Sequence, residues 1–76
     1  MTTDINNILL FKTNIGTDGD VHILQPVLDQ HPGIQKWSID LDDDDRILRI
    51  TSATLTHSCI IDMVRMNGYT CEELCD

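Results

Sequence analysis

GIQKWSIDLDDDDRILRI, residues 33–50, holds two short apolar alternations separated by a run of aspartates. Trp37, Ile39 and Leu41 alternate with Ser38, Asp40 and Asp42, the period of a half-buried strand. Leu48 and Ile50 resume that period after the aspartates 42–45. A polar break between two such runs predicts a β-hairpin with an acidic tip. Trp37, Ile39, Leu41, Leu48 and Ile50 are its expected core side chains.

Upstream, residues 8–15 predict a first strand, with Leu9, Phe11, Thr13 and Ile15 on one face. Its apolar opening, ILLF, suits a central strand covered on both faces. GTDGD, residues 16–20, breaks the strand. Its two glycines offer unusual backbone angles, and Thr17, Asp18 and Asp20 are competent helix caps. A helix follows to about His31, with Val21, Leu24 and Leu28 in one stripe and Ile23 and Val27 beside it. Pro26 is expected to kink that helix or delay its start.

Downstream, a second helix is expected over residues 55–66, capped by Thr54 or Thr56. Its stripe is Cys59, Ile60, Met63 and Val64. Asn67-Gly68 stops it, and residues 69–74 predict a short edge strand. The order β-α-β-β-α-β predicts a ferredoxin-like α+β sandwich: four antiparallel strands in the order 4-1-3-2, both helices on one face. Residues 1–7 are expected to be a flexible end, and residues 8–76 a single domain.

Seventy-six residues bury only about 60% of the unfolded surface, which leaves no room for a deep catalytic cavity. Phe11, Trp37 and Tyr69 are the only aromatics, so the core is expected to be aliphatic. The net charge of −8 opposes nucleic acid and anionic membranes. No apolar run approaches a membrane span, no signal-peptide pattern opens the chain, and the three cysteines form no framework. The expectation is a cytoplasmic monomer with free thiols, and no enzyme: neither a nucleophile–base pattern nor a phosphate loop is present.

HPGIQKWSIDL is similar to the pattern PGV-x-x-V-x-V-x-L, and NGYTCEEL to AGY-x-A-E-x-L. With the element order, these motifs make the chain resemble the heavy-metal-associated domain, the family of small copper chaperones and the modules of metal-pumping ATPases. The resemblance covers about residues 9–74. It implies a soft-metal site at Met-x-Cys-x-x-Cys in the first strand-to-helix turn. Here Ile15 stands at the methionine, Thr17 at the first cysteine and Asp20 at the second, with Asp18 between them. Tyr69 falls where the family places a residue close to the metal loop. A hydroxyl and a carboxylate are hard ligands with little claim on Cu(I), so the implied site is degenerate and no metal is expected.

Two readings of function follow. The first is a non-enzymatic interaction module whose acidic hairpin, Asp40, Asp42, Asp43, Asp44 and Asp45, docks a basic protein surface. The second is a metal carrier. It would use the turn at residues 17–20, as a weak oxygen site, or Cys71 and Cys75 with His57 or Cys59, or both. For the aspartates of the hairpin, a solvated turn is the preferred reading, and for the turn at residues 17–20 it is helix capping. For the cysteines it is packing, with Cys59 in the helix stripe and Cys71 facing inward.

Overall fold

A computed structural model describes residues 8–74. The elements are β1 (Ile8–Thr13), α1 (Asp18–Asp29), β2 (Lys36–Asp40), β3 (Ile47–Thr51), α2 (His57–Met66) and β4 (Cys71–Glu73). The four strands form one open sheet in the order β2-β3-β1-β4, and every neighbouring pair is antiparallel. The expected flexibility of residues 1–7 and the place of Cys75 lie outside the described residues.

Alternation along β1 and β3 turns Leu9, Phe11, Thr13, Leu48 and Ile50 to one side, where all are buried. Leu24 and Leu28 of α1 and Ile60 and Val64 of α2, each pair four residues apart, join them in a single core with Ile15 and Cys71. Trp37, Ile39 and Leu41 are only half-buried, short of the burial expected from their alternation. β2, which carries Trp37 and Ile39 and leads into Leu41, is an edge strand with a neighbouring strand on one side alone. Ile23 is 54% exposed and sits outside the α1 stripe.

Two helix starts and one core assignment differ from the sequence reading. α1 begins at Asp18 and runs through Pro26 without a delayed start. The missing Pro26 donor would have served the carbonyl of His22; both residues are exposed, so solvent can replace it. α2 begins at His57, because the buried Ser52 hydroxyl accepts from the amides of Thr54 and Leu55 at 3.2 and 3.0 Å and holds that approach in a turn. Cys59 is exposed and not part of the core. It lies one position ahead of Ile60, whose side chain occupies the buried stripe.

Gly68 ends α2 in the left-handed region, at φ 93°. Its amide donates to the Arg65 carbonyl at 3.0 Å, and the Tyr69 amide to the Val64 carbonyl at 3.4 Å. This Schellman arrangement fixes the direction in which Tyr69 leaves the helix. Among the described residues no other glycine takes a positive φ, so Gly16 and Gly19 do not use the freedom expected of them.

Candidate functional site

The turn between β1 and α1 is built as a helix cap. Thr17 is extended (φ −139°, ψ 164°), and its hydroxyl accepts from the amide of Asp20 at 3.1 Å. The Asp20 carboxylate reaches back, Oδ2 accepting from the Gly16 amide at 3.1 Å, a variant of the capping box. Its other oxygen, Oδ1, accepts from the Tyr69 hydroxyl at 2.9 Å. The Gly16 amide first, then the Tyr69 hydroxyl, hold the Asp20 carboxyl below its ordinary value. The same pairing with Asp20 pushes the Tyr69 phenol up.

Of the five residues placed at the degenerate metal turn, Thr17, Asp20 and Tyr69 therefore meet through hydrogen bonds. Ile15, which the resemblance sets at the methionine, is fully buried in the core. Asp18 is exposed in the first turn of α1, where its charge suits the helix N-terminus.

A second set of bonds brings the acidic hairpin to this turn. Asp40 Oδ1 accepts from the Asp42 amide at 3.1 Å and Asp43 Oδ1 from the Asp45 amide at 2.8 Å. These two Asx turns fold the tip on itself. Arg46 then takes a left-handed conformation, φ 48°. Its guanidinium donates to the Leu41 carbonyl at 2.7 Å and spans to the Gly16 carbonyl at 3.4 Å. The Thr13 hydroxyl donates to the Arg46 carbonyl at 2.6 Å, and the Thr13 amide to the Asp45 carbonyl at 3.1 Å. On the other side Asn14 Oδ1 accepts from the Thr70 amide at 2.8 Å. Thr13, Asn14 and Arg46 are the fastening residues that the sequence did not reveal. Nothing in DDDDR signals the positive φ at Arg46.

No family model, curated protein or solved structure matches the chain. The reading of the site accordingly rests on its own geometry.

Of the remaining candidates, Cys75 lies outside the described residues. Cys71 packs opposite Thr13 on the buried side of the sheet, and burial pushes its thiol up to about 11. Cys59 accepts from the Thr56 hydroxyl at 3.4 Å, which lowers its own thiol. His57 stacks edge-on against Phe11, ring centres 5.3 Å apart, and lies 3.8 Å from Glu73. Among the described residues, no three His, Cys, Asp or Glu side chains are arranged to hold a metal ion.

Proposed function

We propose that this chain is a non-enzymatic interaction module that docks a basic protein surface at its acidic end. The observation that carries the reading is Arg46, which ties the aspartate turn to Gly16. Through it the acidic hairpin and the acidic start of α1 share one end of the molecule. Asp42, Asp43 and Asp44 remain exposed there. Concentrated surface charge of one sign raises the encounter rate with an opposite patch.

The fold belonging to this reading is the ferredoxin-like sandwich, with both helices on one sheet face. The strand order and the shared core of α1 and α2 support it. The module resembles a heavy-metal-associated domain in which the thiol pair is replaced by a cap. Metal carriage is the weaker reading, since both Asp20 oxygens already accept hydrogen bonds from Gly16 and Tyr69.

The test is titration with a lysine decapeptide at low and moderate salt. Wild type is expected to bind at low salt and to weaken as salt rises. Asp42→Asn with Asp43→Asn and Asp44→Asn should lose most of that binding while keeping the Asp43 turn, because an amide oxygen still accepts. Equal binding by the triple variant rejects the acidic end as the docking surface.

A further inference from the structure

The free edge of β2 has a self-complementary sequence. β2 has β3 as its partner along one edge and no second strand among the described residues. Its five residues, Lys36, Trp37, Ser38, Ile39 and Asp40, alternate between exposed and half-buried. When a second KWSID is laid antiparallel about Ser38, Lys36 meets Asp40 of the second copy and Trp37 meets its Ile39. Ser38 meets Ser38. Opposite charges then pair on one face and apolar side chains on the other, and a twofold axis forms each unlike pair twice.

We propose that two copies of this chain associate through antiparallel β2 strands, joining their four-stranded sheets into one continuous sheet. This replaces the monomer expected from the sequence. Three observations bear on it. Trp37, Ile39 and Leu41 are half-buried beside a β3 whose Leu48 and Ile50 are fully buried. An added strand supplies the neighbour they lack. The charges also choose the direction: parallel pairing in register sets Lys36 against Lys36 and Asp40 against Asp40, whereas antiparallel pairing cancels both. Finally, the aspartate turn follows Asp40, so an antiparallel pair holds the two turns at opposite ends and limits repulsion between chains of net charge −8. Charges on an edge strand more often serve to block such pairing. Here their spacing about Ser38 removes that block for one partner, a second copy in one register.

Sedimentation equilibrium tests the pairing, with Trp37, the only tryptophan, as an internal reporter. Wild type should pass from monomer to dimer with rising concentration, and its tryptophan emission should shift to the blue in step. Lys36→Glu and Asp40→Lys should each weaken the dimer about tenfold or more, since each sets like charges opposite each other twice. Asp40→Lys also reduces the net negative charge, so a loss of association there cannot come from overall repulsion. An equimolar mixture of the two variants should recover the wild-type dimer, every introduced charge meeting its opposite. That recovery requires both variants to be folded. A protein that stays monomeric up to millimolar concentration overturns the proposal. So does a dimer that survives both reversals, or a mixture that fails to associate while both variants keep the wild-type circular dichroism.

Discussion

The Tyr69 hydroxyl donates to Oδ1 of Asp20 at 2.9 Å, across 49 positions of sequence. The bond joins the residue leaving α2 to the first turn of α1. It needs Asp20 ionised and Tyr69 protonated, and each group favours that state in the other. Asp20 is held below 3.8, so its contribution is fully present above the unfolded carboxylate value and is lost as pH falls through the lower folded value. Tyr69 is raised above 10.0, so its contribution is fully present below that value and is lost as pH rises through the higher folded one. Tyr69→Phe should bring the Asp20 titration closer to an ordinary aspartate, measured by carboxyl carbon NMR. An unchanged Asp20 titration in that variant would mean that the Gly16 amide and Thr17 set it without Tyr69.

Arg46 is expected to act as the clasp of the acidic end. Arg46→Ala removes the guanidinium bonds to the Leu41 and Gly16 carbonyls and still leaves a side chain at positive φ. The cost should be about 2 kcal/mol in urea unfolding. Arg46→Gly loses the same bonds but relaxes the backbone, and should recover about 1 kcal/mol of that. If alanine and glycine destabilise equally, the left-handed backbone at this position is not a source of strain.

Gly33 is the one place where the chain approaches a side chain too closely for a Cβ. An added methyl there would sit 2.8 Å from Leu55 Cγ and 3.0 Å from its Cδ2. Gly33→Ala should destabilise by about 1–3 kcal/mol, as overpacking does. Adding Leu55→Ala removes the atoms in conflict, so the two changes together should cost less than the sum of each alone. Additive losses in thermal unfolding would show that Gly33 is needed for another reason.

The sequence was most legible where periodicity and packing agree. The stripe of Leu24 and Leu28 and the buried alternation of Leu9, Phe11 and Thr13 fall where their spacing puts them. It was less legible where tertiary position decides. Ile39 alternates as cleanly as Ile50, yet an edge strand leaves it half-buried and a central one buries Ile50. Cys59 and Ile60 both fit an apolar stripe, and only the rotation of α2 against the sheet separates them. At the candidate site, GTDGD offered Thr17, Asp18 and Asp20 alike as caps, and Thr17 takes the N-cap. The bond from Tyr69 and the clasp of Arg46 were not readable, because long-range side-chain partners leave no local pattern.

The resemblance to metal-binding domains is tested by restoring what the turn lacks. Thr17→Cys with Asp20→Cys should turn the chain into a Cu(I) binder. Position 17 is the N-cap of α1 and position 20 its third residue, already joined by the bond from the Asp20 amide to the Thr17 hydroxyl. The helix N-terminus lowers the pKa of thiols placed there and so favours the thiolates a soft metal needs. Losing the Thr17 cap together with the Asp20 bonds from the Gly16 amide and the Tyr69 hydroxyl should cost about 3 kcal/mol, which metal binding offsets by mass action. Both proteins should carry Cys59→Ser, Cys71→Ala and Cys75→Ser, so that no native thiol competes; alanine suits position 71 because that side chain is buried. Anaerobic competition against a chromophoric Cu(I) chelator gives the reading. The double variant alone is expected to remove metal from the chelator. If it gains no affinity, the turn does not hold two sulfurs in the geometry that Cu(I) requires. If the parent stripped of its thiols binds equally well, the hard ligands at the turn do bind soft metal and the site is not degenerate.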